Sequence, residues 1–141
     1  MPPSTRAALL ATLLIAGAPA AFARAETLIS FQSPSHNIGC IVGSSSGARC
    51  DIRHRDWSPP TRPKSCPSFT DYGQGLEVGR QGRGRVVCAG DTALTNGRAL
   101  AYGHSHSVGR YTCTSRASGM TCRNRRSGHG FTIAKQRYRL F

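Results

Sequence analysis

The most specific local motif in this sequence is Ser127-Gly128-His129-Gly130. Its glycines permit close approach of backbone to a ligand. His129 also follows Arg123, Arg125 and Arg126 closely, and an imidazole beside guanidinium groups suits proton transfer in a small cationic hydrolase of the nuclease kind. The simpler reading is a turn that feeds a strand from Phe131, with His129 hydrogen-bonded to backbone. The other acid/base candidates are His36, His54, His104, His106, Asp51, Asp56, Asp71, Glu77 and Asp91. No spacing among them pairs two groups around a cleft. His104-Ser105-His106 would set two imidazoles on one strand face, as a transition metal requires. No carboxylate or third ligand is near it in sequence, so a polar loop after Tyr102-Gly103 fits better. Nucleophile elbow, phosphate-cradling loop and paired-carboxylate motif are all absent from the sequence. The expectation is no metal, no cofactor and a non-catalytic role.

Arginine carries the stronger signal. Of 19 basic residues only Lys64 and Lys135 are lysine. The last acidic side chain is Asp91, and from Thr92 to Phe141 there are nine cations and no Asp or Glu. Arginine suits two-pronged contact with phosphate, sulfate or carboxylate. The expected binding surface consists chiefly of Arg110, Arg123, Arg125 and Arg126. Its expected partner is an anionic polymer, a lipid headgroup or an acidic protein surface outside the cell. Arg49, Arg53 and Arg55, with Asp51 among them, would alternate on another face. Lys135, Arg137 and Arg139 would do the same if that run is one continuous strand.

Such faces need strands in a defined register, and the cysteines supply it. All six (Cys40, Cys50, Cys66, Cys88, Cys113 and Cys122) lie in the last hundred or so residues. Ile38-Gly39-Cys40, Ser-Ser-Ser-Gly, Ala48-Arg49-Cys50 echoes Tyr111-Thr112-Cys113, Arg-Ala-Ser-Gly, Met120-Thr121-Cys122. Each reads as a hairpin whose turn closes on Gly47 or Gly119. Pairing Cys40 with Cys50 sets Ile38 opposite Ile52, and pairing Cys113 with Cys122 sets Tyr111 opposite Asn124. On the other side of that second hairpin Arg110 then faces Arg125, and Thr112 faces Arg123. By elimination Cys66 joins Cys88. A zinc site is disfavoured because no Cys-x-x-Cys occurs.

Helical periodicity is missing, and short β-like runs recur instead: 27–31, 36–42, 48–53, 76–79, 85–89, 99–102, 110–114, 120–124, 130–135 and 137–141. They predict an all-β fold, a small disulfide-stapled barrel or sandwich of short antiparallel strands. The inner layer should draw on Ile38, Ile52, Val86, Tyr111, Met120, Phe131 and Ile133. Trp57-Ser58-Pro59-Pro60-Thr61-Arg62-Pro63 is too proline-rich for a central strand. It reads as a stiff surface connector capped by Trp57, or as the presented loop of a secreted protein inhibitor.

At the start, Arg6 and the apolar run 7–16 are followed by small residues, as in a secretory leader. Cleavage is expected after Ala25, with Ala23 the alternative. The chain then divides into a signal peptide, 1–25, and one secreted all-β domain, 26–141, placed in the periplasm or medium and without a transmembrane segment. From Glu26 onward, 19 residues are Leu, Ile, Val or Phe, a thin supply for a core. Below about 20 % of such residues a highly charged chain tends to stay unfolded, so three disulfides are the natural remedy.

The residues Phe31-x-Ser33-Pro34-Ser35-x-Asn37-Ile38-x-Cys40, Cys50-Asp51-Ile52, Trp57-x-Pro59-Pro60 and Cys88-Ala89-Gly90-Asp91-Thr92 form a pattern. Leu100-x-Tyr102-Gly103 and Cys122-x-Asn124-x-x-Ser127-Gly128-His129-Gly130-Phe131 complete it. In this pattern the chain resembles a family of small exported bacterial domains of unknown function, over nearly all of the mature sequence. The resemblance implies a disulfide-bearing exported domain and brings no activity with it.

Overall fold

A computed structural model describes residues 1, 18 and 21–141. The expected leader lies largely outside the described residues. Ten strands follow in order: β1 (Leu28–Gln32), β2 (Ile38–Gly43), β3 (Gly47–Ile52), β4 (Tyr72–Val78), β5 (Arg85–Cys88), β6 (Ser105–Val108), β7 (Tyr111–Arg116), β8 (Gly119–Asn124), β9 (Gly130–Ile133) and β10 (Tyr138–Leu140). Each half of the chain is an antiparallel meander. β1 to β5 form one sheet in sequence order and β6 to β10 form the second. The sheets pack face to face as a sandwich, chiefly through β3 and β4 against β7, β8 and β9.

The hairpins expected around the cysteines are present with the expected registers. Cys40 lies opposite Cys50 and Ile38 opposite Ile52, while Cys113 lies opposite Cys122 and Tyr111 opposite Asn124. Disulfides join Cys40–Cys50, Cys66–Cys88 and Cys113–Cys122. Gly47 and Gly119 close the two turns at φ 116° and 133°, backbone that side chains disfavour. A Cβ on Gly119 would also stand 2.6 Å from the Ile133 carbonyl oxygen.

The two hairpin disulfides meet at the centre of the sandwich, where Cys50 Sγ and Cys122 Sγ approach to 3.5 Å. Around them Phe31, Val42, Leu76, Val78, Tyr111, Met120, Phe131 and Ile133 are buried. Sulfur thus occupies volume that aliphatic side chains fill in richer cores. Val86 packs against this cluster from edge strand β5 but stays half-buried, whereas its neighbour Val87 is fully buried.

Several strand expectations are corrected. Residues 99–102 form no strand: Ala99 makes a single parallel bridge to Gln32, and the strand instead starts at Ser105. His104-Ser105-His106 is therefore not a loop, because Ser105 and His106 belong to β6. The separate runs 130–135 and 137–141 form the two arms of a hairpin, closed by the Ala134 N–H donating to the Arg137 carbonyl at 3.0 Å, so the continuous strand that alternation of Lys135, Arg137 and Arg139 would need is not formed. Lys135 and Arg137 consequently sit in its turn, apart from Arg139 on β10. Strand β4 begins at Tyr72, four residues before the expected run, because Gly73 and Gly75 lower the local β propensity that would have marked it.

The connector is anchored as its composition suggests. Trp57 Nε1 donates to the Ala134 carbonyl at 2.9 Å, the indole packs on Tyr138 at 4.6 Å, and Arg55 lies over it at 4.5 Å. No helix among the described residues is long and apolar enough to cross a membrane.

Candidate functional site

The two sheets use their arginines differently. On β3, Asp51 is fully buried and Arg49 donates to both of its carboxylate oxygens, at 3.0 and 2.8 Å. The Thr92 hydroxyl and the Ala93 N–H also donate to Asp51, at 3.1 and 2.9 Å. Arg49 reaches on to Asp91 at 2.7 Å. Burial disfavours the Arg49 charge, but the bonds to Asp51 and Asp91 outweigh it and hold its pKa above the ordinary value. The segment 91–93 thus lies over part of the face where Arg49, Arg53 and Arg55 were expected to alternate. Arg85 pairs with Glu77 at 2.6 Å, Arg53 donates to the His36 carbonyl at 3.0 Å and Arg55 to that of Gly73. The candidate acids Asp51, Glu77 and Asp91 are therefore structural partners, while Asp56 and Asp71 are exposed.

The outward face of the second sheet is organised by hydroxyls. Ser105 lies opposite Thr114, Thr114 opposite Thr121, Thr121 opposite Thr132, and Thr132 opposite Arg139. Hydroxyl contacts join Ser105 to Thr114 at 2.7 Å and Thr121 to Thr132 at 2.9 Å. With strands about 4.8 Å apart, the row crosses the whole sheet, about 19 Å. A groove of about 330 Å³ crosses the row at Thr114 and Thr121, running along β7 and β8 and lined by Thr112, Thr114, Arg116, Thr121, Arg123 and Arg125. Arg123 and Arg139 both stack on the Phe141 ring, at 5.1 and 4.9 Å, which limits their freedom before any ligand arrives. Among the described residues, all three ion pairs belong to Arg49 and Arg85 of the first sheet; no arginine of the second has an acidic partner.

The four expected arginines divide between two places. Arg123 and Arg125 stand on the hydroxyl face. Arg110, Arg125 and Arg126 surround a groove of about 720 Å³ beside Ser44 and Ser45, at the strand ends next to the β6–β7 turn. Arg125 joins the two and is steadied by donating to the Gly109 carbonyl. Arg24 and Ala25 also line that groove, so the expected leader cleavage would remove part of its wall. Arg116, which the sequence reading misses, and Arg139, which it places with Lys135 and Arg137, complete the face. The signal for Arg116 lies in the alternation of Thr112, Thr114 and Arg116 opposite Thr121 and Arg123, legible once the cysteine register is fixed.

His129 lies in the turn 125–129, where its carbonyl accepts from Asn124 N–H at 2.8 Å and its own N–H donates to Ser127 Oγ at 3.3 Å. It lines none of the grooves described above. Asn124 is the anchor of that turn: buried, it donates to the Gly79 carbonyl at 3.1 Å and accepts from the Arg126 N–H at 3.0 Å. His106 packs on Phe31 at 5.3 Å. Among the described residues the only trio placed to hold a metal is Cys40, Cys50 and Cys122, and disulfide formation leaves these sulfurs no thiolate.

A further concavity lies elsewhere. At the strand ends opposite the Arg110 groove, a cleft of about 770 Å³ opens between the β1–β2 loop, the residues after β3, and the β7–β8 and β9–β10 turns. His36, Arg53, His54, Arg116 and Lys135 line it, and no acidic side chain does.

Residues 8–141 match the model of a family described as a family of unknown function, DUF6636. No curated protein matches the chain, and no solved structure does.

Proposed function

The chain belongs to the family of unknown function DUF6636, and we propose that it is an exported, non-catalytic protein that binds an anionic polymer at or outside the cell envelope. The carrying observation is the row Ser105–Thr114–Thr121–Thr132, flanked by Arg116 on one side and Arg123 and Arg125 on the other. Hydroxyls along the row offer hydrogen bonds to a hydrated chain, and the arginines meet its phosphate, sulfate or carboxylate groups with paired N–H donors. A row about 14 Å long, extended to about 19 Å by Arg139, suits an extended polymer better than a single small ion. An Arg that lacks an acidic partner has no intramolecular pair to break on binding, so its charge remains available for long-range attraction. Three disulfides fit an oxidising location such as the periplasm or the medium.

Heparin, a sulfated polysaccharide, is the probe. Retention on immobilised heparin should weaken as salt rises, because binding releases condensed counterions. Arg123→Ala/Arg125→Ala should elute at distinctly lower salt with an unchanged circular dichroism spectrum. Elution of the double variant at the wild-type salt concentration overturns the reading.

A further inference from the structure

We propose that the cleft at the opposite strand ends is a second binding site, meeting the hydroxyl face only at Arg116, for a small organic phosphate. Both sheets build it. The first contributes His36, Arg53 and His54, and the second contributes Arg116 and Lys135. Three permanent cations and two imidazoles face one space with no carboxylate among the lining residues. One carboxylate would neutralise a single one of these charges. A phosphate monoester carries up to two, on three oxygens matched to the guanidinium fork. The volume, about 770 Å³, falls within the range of sites that enclose small organic ligands and exceeds what a bare ion needs. The half-exposed Tyr102 ring supplies an apolar wall for the organic part.

The first-sheet wall is held in place before any ligand binds. Asn37 grips His54 at both backbone groups, its Oδ1 accepting from the N–H and its Nδ2 donating to the carbonyl, each at 2.9 Å. Arg53 N–H donates to the Asn37 carbonyl at 2.9 Å while Arg53 Nε donates to that of His36 at 3.0 Å. Inside the loop, His36 N–H donates to the Ser33 carbonyl at 2.9 Å and Ile38 N–H to Ser33 Oγ at 3.1 Å. This frame holds His36 at φ 56°, the only non-glycine residue at positive φ among the described residues. That backbone is one that side-chain-bearing residues adopt uncommonly and glycine adopts freely. A histidine there, on the wall of this cleft, places its imidazole to meet a ligand.

Phenyl phosphate is the probe, with inorganic phosphate as a second arm and acetate as control, read by the ring resonances of His36 and His54 in NMR. Saturable shifts are expected with both phosphates, with phenyl phosphate several-fold tighter, and none with acetate. Lys135→Gln alters only an exposed turn side chain and should weaken phenyl phosphate at least several-fold. His54→Gln should do the same. Arg123→Ala/Arg125→Ala should leave phosphate binding intact, and Lys135→Gln should leave heparin retention nearly intact, so the two sites fail independently. Equal shifts with acetate, equal affinity for the two phosphates, or no saturation up to about 10 mM overturns the proposal.

Discussion

In the first sheet Arg49 bridges Asp51 and Asp91, Arg85 meets Glu77, and Arg53 and Arg55 are occupied with backbone carbonyls. In the second, Arg116, Arg123, Arg125 and Arg139 are exposed and without acidic partners among the described residues. Yet the scaffolds correspond closely. Each is a five-stranded meander whose second and third strands are tied by a disulfide across a hairpin turn that ends in glycine. The same residue type on the same frame therefore serves cohesion in one place and availability in the other. What separates them is the distribution of six acids, all of which precede Thr92.

The strongest way to break this contrast is to remove one arginine from each sheet. Arg49→Ala strips the buried Asp51 carboxylate of its ion pair, and loss of one partner from a buried pair typically costs about 3–5 kcal/mol. Arg123→Ala should change stability by less than about 0.5 kcal/mol, as exposed substitutions usually do. Urea unfolding midpoints decide it, and comparable losses in the two variants would abolish the distinction.

A second experiment sharpens the other half of the comparison, the likeness of the frames. The two hairpin disulfides close loops of nearly equal length, with separations of 10 and 9 residues. Loop-closure entropy assigns each about 2–3 kcal/mol. Cys40→Ala/Cys50→Ala and Cys113→Ala/Cys122→Ala should therefore lower stability about equally, read from thermal midpoints. A difference beyond about 1 kcal/mol would mean that the sheets are not mechanically equivalent.

The smallest effect concerns acid. Arg49 donates to Asp91 and holds its carboxyl below the ordinary value. A lowered folded-state pKa adds stability that is complete above the unfolded value of about 3.9 and vanishes as pH falls through the folded value. Because the Asp91 side chain is 82 % exposed, Asp91→Asn should cost less than about 1 kcal/mol near neutrality. Its urea midpoint should converge with wild type well below pH 4. Arg125 in the second sheet has no such acidic partner, and Arg125→Ala should show the same small offset at every pH.

Much of the frame can be read from the residues, because cysteine pairs fix register and register fixes every face. Cys40 and Cys50 bring Ile38 to Ile52, and Cys113 and Cys122 bring Thr112 to Arg123, without any tertiary knowledge. Strand β6 escapes because Ser105-His106-Ser107 carries no apolar alternation and looks like a loop. The cleft escapes for a different reason. His36, His54, Arg116 and Lys135 belong to four segments whose meeting depends on how one sheet is laid on the other, and no local spacing encodes that. The bond between Arg49 and Asp91 spans 42 residues and is invisible for the same cause.

The disulfides have one more property as a set. Cys40–Cys50 and Cys66–Cys88 both close within the first 88 residues, and Cys113–Cys122 closes beyond them. Between Ala89 and Thr112 the polypeptide itself is the sole covalent tether from one sheet to the other. A protease that severs it there would release two oxidised fragments, separable in denaturant with no reductant present. The molecule is in that sense a non-covalent dimer of half-proteins that happen to share a chain.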